Sequence, residues 1–246
     1  MKLPVSQAHR PWPVPESSWI MKQIWHDLLF AHWPVRPQEI REMIPSGMTL
    51  DTFDGFAWIG VVPFRMSGIR LRGLPPIPFT DRFPEINVRT YVTVNGKPGV
   101  YFFSLDAANR LAVQTAKTFF HLPYFYAEME CTNEDGIIRY RSRRKNTTET
   151  PVAFEGRYKP VSPVFYASQG SWEYWLTERY CLYTTNRKRE VVRGDILHLP
   201  WPLQQAEADI GLNTMMTAQS IKPSGQKPHL HFSKRLEVWI WPLSPG

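Results

Sequence analysis

Glu85-Ile-Asn-Val-Arg-Thr-Tyr-Val-Thr-Val94, Asn95-Gly96 and Val100-Tyr-Phe-Phe-Ser-Leu105 read as strand, tight turn and strand. Asp106-Ala-Ala-Asn-Arg-Leu-Ala-Val-Gln-Thr-Ala-Lys-Thr-Phe-Phe120 follows as a helix, and His121-Leu-Pro-Tyr124 as a sharp exit. Period-two alternation puts Glu85, Asn87, Arg89 and Tyr91 on one face and Ile86, Val88, Thr90 and Val92 on the other. Asn95-Gly96 accepts the positive φ angles that a two-residue hairpin requires. Asp106 reads as the N-cap of a helix from Ala107 to about Phe120, with an apolar stripe at Ala108, Leu111, Ala112, Thr115, Ala116 and Phe119. Leu122 precedes Pro123, which pushes it into extended backbone and ends the helix.

Outward from this stretch the chain keeps the same texture. On the N-terminal side, residues 1–16 read as an extended leader. Ser17 or Ser18 can cap a short helix from Trp19, and Leu28–Val35 reads as a buried strand. Pro37 suits the first turn of a second short helix. Asp54-Gly55 is a turn before a strand at Phe56–Met66, and Gly73–Pro84 is a proline-rich loop. On the C-terminal side, Tyr124–Thr132 and Gly136–Arg144 form a hairpin and Pro151–Tyr158 adds a strand. Ser171 caps a helix at Trp172–Glu178, and Arg179–Thr184 with Val191–Leu199 makes another hairpin. Leu203–Ile210 fits strand or helix, and Leu230–Trp241 is a long last strand. Hairpin connections imply antiparallel pairing, and closing the sheet removes its edges. The expected architecture is therefore α+β, mainly antiparallel β, closed or nearly closed, with peripheral helices, as one domain over residues 1–246.

Composition narrows the function classes. No apolar run approaches the roughly 20 residues needed to span a bilayer. Met1–Arg10 lacks the apolar centre of a signal peptide. The expectation is a cytoplasmic protein with no membrane partner. Cys131 and Cys181 sit in separate apolar runs, as buried free thiols do. The net charge of +7 invites a nucleic-acid reading. The basic run Arg139, Arg141, Arg143, Arg144 and Lys145 carries only Tyr140 as an interleaved aromatic, so it reads as a solvated hairpin and nucleic acid is not the expected partner. No P-loop, GxGxxG, HExxH or CxxC is present. His229 and His231 share a strand face, but no third ligand stands near them in sequence, so they read as surface histidines and no metal or cofactor is expected. The polar face Glu85, Asn87, Arg89, Tyr91 has two readings: a solvated strand face, or the wall of a polar cavity in which the charges orient an acidic ligand.

Seven motifs in order carry a family resemblance: His32-Trp-Pro34, Leu50-Asp-Thr-Phe-Asp-Gly55, Val62-Pro-Phe-Arg65, Phe83-Pro-Glu-Ile-Asn-Val-Arg-Thr-Tyr-Val92, Gly99-Val-Tyr-Phe-Phe-Ser-Leu-Asp106, Thr177-Glu-Arg-Tyr180 and His198-Leu-Pro-Trp201. Over almost its full length the chain resembles the YqjF-like (DUF2071) family, which is grouped with the acetoacetate decarboxylase-like superfamily. That resemblance implies a cone-shaped antiparallel β-barrel around a buried pocket. Decarboxylases of this kind carry a Glu on a strand before a hairpin, matched by Glu85, and a Pro followed by two lysines, matched by Pro123. The Schiff-base lysine falls on Tyr124, and the lysine that lowers its pKa falls on Phe125. A phenol cannot form an imine. The resemblance therefore implies a decarboxylase-like pocket without Schiff-base chemistry.

The resulting expectation is a protein that binds a small anionic or oxygenated organic molecule through Glu85, Asn87, Arg89, Tyr91, Arg65, His121 and Tyr124, with no catalytic residue assigned. The alternative is a non-catalytic structural or interaction protein whose pocket is filled by aromatics. A homo-oligomer is expected, because superfamily members commonly assemble and short edge strands need cover.

Overall fold

The computed structural model describes residues 5–76, 82–145, 147, 151–222 and 225–246. Among these the fold is mostly strand with few helices. In order, the chain forms β1 (Met21–Val35), α1 (Pro37–Ile40) continued by a 3-10 turn, β2 (Thr49–Leu50), β3 (Ala57–Leu71), β4 (Phe83–Val94) and β5 (Lys97–Ala107). Then come α2 (Arg110–Phe120), β6 (Tyr124–Glu134), β7 (Ile137–Arg144), β8 (Ala153–Pro160) and α3 (Trp172–Thr177). The last strands are β9 (Cys181–Thr185), β10 (Val191–Leu197), β11 (Gln204–Asn213) and β12 (His229–Pro245). No helix among the described residues is long and apolar enough to cross a membrane.

The strand pairings return on themselves. β1 lies between β12 and β3, β3 pairs with β4, and β4 with β5. The C-terminal end of β5 pairs in parallel with β6 after the α2 crossover, and β6, β7, β8, β11 and β12 complete the ring. A second path crosses this ring. The middle of β5 pairs with β9, β9 with β10, and β10 with β12.

The crossing path buries both faces of β4. Ile86 and Val88 join Leu29, Ala31, Ile59 and Val61 in a core shared with Ile138, Tyr140, Phe154 and Tyr158 of β7 and β8. The other face looks into the circuit made by β1, β3, β4, β5, β9, β10 and β12, and this is where the cavity lies. The solvated reading of the polar face is thereby overturned: Glu85 is 3% and Arg89 8% exposed.

Several local expectations change. The proposed helix from Trp19 is instead the start of β1, hydrogen-bonded to β12 and β3 from Met21 onward. A four-residue spacing such as Met21 to Trp25 is even, so it also fits one strand face. At Asp27, whose φ is 50°, the pairing with β3 slips by one residue. The inward set changes there from Met21, Gln23 and Trp25 to Leu28. Asp106 does not cap α2. It lies within β5, where Ile86 faces it, and Asn109 caps the helix by accepting from the Ala112 N–H at 3.0 Å. Arg144 leaves the solvated hairpin, since β7 alternates exposed and buried residues and Arg144 falls on the buried side. Of Leu203–Ile210, Gln204 onward is part of strand β11, and Leu203 just before it bridges to Phe165. The proline-rich loop lies partly outside the described residues. The cysteines are free, Cys181 buried and Cys131 half-buried.

Candidate functional site

The cavity has a volume of about 280 Å³. β4 supplies Phe83, Glu85, Asn87 and Arg89, each two residues after the last, as strand alternation dictates. Val62, Phe64 and Met66 come from β3, and Tyr124 from the first position of β6. Leu111, Ala112, Thr115, Ala116 and Phe120 come from α2. The sharp exit at His121 (φ 51°), Leu122 and Pro123 brings Tyr124 alongside Leu105 and so inward.

Glu85 is the most perturbed acid here. Burial pushes its carboxyl up to about 8, helped by the nearby Asp106 charge, while hydrogen bonding from Tyr124 and Asn87 pulls the other way. At neutral pH Glu85 is therefore mostly a carboxylic acid. The Tyr124 hydroxyl donates to Glu85 Oε2 at 2.8 Å. Burial and the Glu85 charge hold that phenol well above its ordinary pKa, so it stays a donor. From the core side, Tyr140 Oη donates to the Glu85 backbone carbonyl at 2.6 Å and fixes the strand beneath the acid.

Arg89 has a different environment. Its guanidinium lies 5.2 Å from the Phe30 ring centroid and 5.8 Å from that of Tyr91. Among the described residues its Nε has no hydrogen-bond partner. Among the described residues no carboxylate forms an ion pair with it, whereas the buried Arg144 and Arg179 each have one. Arg144 makes a two-pronged contact with Asp106 at 2.6 and 2.9 Å, with its guanidinium 3.8 Å from the Phe125 centroid. Arg179 Nη1 donates to Asp51 Oδ2 at 2.7 Å. Gly60 makes room for Arg89. A Cβ there would stand 3.0 Å from His32 Nε2 and 3.3 Å from Arg89 Cγ. His32 is fully buried, and burial followed by the Arg89 charge holds it neutral, its pKa well below the usual histidine value.

The proposed ligand residues are thus partly brought together. Glu85, Asn87, Arg89 and Tyr124 share the cavity wall. Tyr91 lies beyond it, buried with Trp58, Val100 and Leu176 and hydrogen-bonded to His32 Nε2 at 2.6 Å. Tyr91 keeps the alternation one step past Arg89, but there Trp175 packs on its ring, 5.0 Å between centroids, and Leu176 joins the same cluster. Arg65 is not on the wall either; its Nε holds Asp27 Oδ2 at 2.9 Å. His121 is also off the wall, with its carbonyl accepting from Thr184 Oγ1 at 2.8 Å.

Sequence reading did not place Thr177, Arg179, His198 and Trp201 on the wall, although all four lie in the quoted motifs. Glu178 ties them together: its carboxylate accepts from the Tyr180 hydroxyl and from the Trp201 N–H at 2.9 Å. His198 donates from Nδ1 to the Leu199 carbonyl at 2.7 Å. No lysine is among the described residues lining the cavity. His231 is buried, not superficial, and the described residues contain no cluster of three or more metal-ligating side chains.

Residues 22–237 match the model of DUF2071, a family described as an uncharacterized conserved protein. The chain belongs to this family. It is 52% identical over 230 residues, 94% of each chain, to the uncharacterized protein YqjF of Bacillus subtilis. Among solved structures it is similar to acetoacetate decarboxylase from Legionella pneumophila, with 9% identity, TM-score 0.63, and 97% of this chain and 92% of that one covered. It is also similar to the enduracididine biosynthesis enzyme MppR complexed with pyruvate, with 11% identity, TM-score 0.61 and coverage of 94% and 91%. A third is an acetoacetate decarboxylase-like enzyme from Sphingomonas wittichii, with 10% identity, TM-score 0.61 and coverage of 96% and 98%. At these identities the likeness is one of fold. It establishes an acetoacetate decarboxylase-like chain trace for this DUF2071 member.

Proposed function

We propose that this protein binds a small organic acid inside its strand ring, taken as a closed decarboxylase-type barrel, with the ligand's carboxylate on Arg89. The observation that carries the proposal is the Arg89 guanidinium, buried on the cavity wall without a carboxylate partner among the described residues. A buried cation is costly unless paired, and a planar guanidinium suits a carboxylate. Glu85, protonated at neutral pH, adds no competing negative charge. MppR was solved with pyruvate, a small carboxylate, and so the ligand class is consistent with a structural neighbour. The alternative of an interaction protein with an aromatic-filled pocket is less well supported, because about 280 Å³ stands open beside these polar groups.

Schiff-base chemistry is not part of the proposal. Tyr124 occupies the position that the resemblance assigns to the nucleophilic lysine, and its hydroxyl is engaged with Glu85. Binding of small monocarboxylates, followed by calorimetry, tests the main proposal. Arg89→Gln should weaken binding by about 10- to 100-fold, the range for a hydrogen bond to a charged group. Equal affinity in wild type and Arg89→Gln would sink it.

A further inference from the structure

Away from Glu85, Asn87 and Arg89 the wall is mostly hydrocarbon, with Gln23, Thr115 and, between Ile69 and Leu71, Arg70 as polar side chains among it. Past Glu85 on β4, away from Arg89, comes Phe83, paired across the sheet with Met66. From there the wall runs through Ile69 and Leu71 on one side and through Leu111 and Phe120 of α2 on the other. Leu71 is 47% and Leu111 58% exposed although both line the cavity, which marks the rim. Next to Leu71 across Met21, Ile240 and its partner Ile196 continue the wall with hydrocarbon. An acetate-sized anion on Arg89 would leave this apolar surface facing water.

We infer that the ligand is an amphipathic monocarboxylic acid, its head on Arg89 and its hydrocarbon tail laid past Phe64 and Phe83 toward the rim formed by Leu71 and Leu111. This rests on the carboxylate reading above and deepens it. The cavity sets the size. At about 30 Å³ per water-sized group, 280 Å³ holds about nine such groups. Three of them belong to the carboxylate, which leaves room for about six carbons of tail. Longer tails emerge between β3 and α2, where added carbons meet solvent and contribute little.

The test is calorimetric titration of the full chain with straight-chain acids from acetate to dodecanoate, with octanol as the uncharged control. Affinity should rise about fourfold per methylene, the usual return for burying one, and level off after about six tail carbons. Leu111→Glu, a rim substitution at an exposed position, should weaken octanoate about tenfold and leave acetate unchanged. Arg89→Gln should weaken every acid and leave octanol as it was. If short acids bind through Arg89 but lengthening the tail gains nothing, the tail site is wrong and the carboxylate reading stands. If no acid of any length binds, the carboxylate reading itself falls and takes the tail site with it. A length series that both variants leave unchanged means surface partitioning and also overturns the inference.

Discussion

Replacing Glu85 by Gln should stabilise this protein relative to wild type by an amount that grows as the pH rises from about 4.5 to about 8. The native carboxyl keeps its proton up to about pH 8, whereas an ordinary glutamate releases it near 4.5. Between those values the native state binds more protons than the unfolded chain, so wild-type stability falls as pH rises. At about 1.4 kcal/mol per pH unit, the span from 4.5 to about 8 amounts to about 5 kcal/mol. Gln keeps an oxygen for the Tyr124 hydroxyl to donate to but has no proton to lose. The stability difference between Glu85→Gln and wild type should therefore be flat below pH 4.5, widen steadily to pH 8, and stay constant above it. Buried histidines such as His32 and His198 titrate in both proteins and cancel in the difference. Urea unfolding followed by tryptophan fluorescence at each unit from pH 4 to 9 measures it. Parallel stability profiles for the two proteins from pH 5 to 9 would refute the argument and mean that Glu85 is ionised in the native state.

Three further expectations follow from the same geometry. Arg144→Met leaves Asp106 buried with its charge uncompensated and should cost about 3–5 kcal/mol in chemical denaturation, with Asp106→Leu/Arg144→Met recovering much of it; a single variant as stable as wild type would mean that the pair is solvated. Gly60→Ala crowds His32 Nε2 and Arg89 Cγ and should destabilise by about 1–3 kcal/mol in the same assay, and an unchanged midpoint would mean the two side chains yield freely. Incubation with acetoacetate and sodium borohydride should add no mass to the chain, because Lys117 is exposed on α2 and Tyr124 cannot form an imine; a reduced adduct mapped by mass spectrometry to a lysine would restore imine chemistry.

How much of this was legible in the sequence depended on how local the cause was. The β4–β5 hairpin was legible because alternation and Asn95-Gly96 are short-range, and both turn residues do take positive φ. The row Glu85, Asn87, Arg89 was legible for the same reason. The role of Asp106 was not, since its partner Arg144 lies 38 residues away and nothing local distinguishes Asp106 from Asn109 as a cap. β5 continues through Ala107 because Glu85 and Ile86 of β4 pair with Ala107 and Asp106, and that tertiary ladder overrides the capping preference. Tyr91 was misplaced because alternation does not show where along β4 the cavity ends, at Trp175 and Leu176, and Arg65 because it lies on the face of β3 opposite Val62, Phe64 and Met66, which line the cavity. The wall contributed by Thr177, Arg179, His198 and Trp201 depends on how the path through β9 and β10 crosses the ring, which no single stretch of sequence encodes.

That crossing also explains why Glu85 and Arg89 do not neutralise each other. They are four residues apart on one strand, about 13 Å between their Cα atoms, and both faces of that strand are buried. Each charge must therefore be accommodated separately. Glu85 does so by keeping its proton. For Arg89 the faces of Phe30 and Tyr91 supply on the order of 1–2 kcal/mol against a desolvation cost of several kcal/mol. The remainder has to come from whatever fills the cavity: water in the empty protein, and an anion more effectively than water. A version of this fold with the cavity packed by aromatics would strand the guanidinium. The open space and an arginine without a carboxylate partner among the described residues are thus one feature, and each accounts for the other.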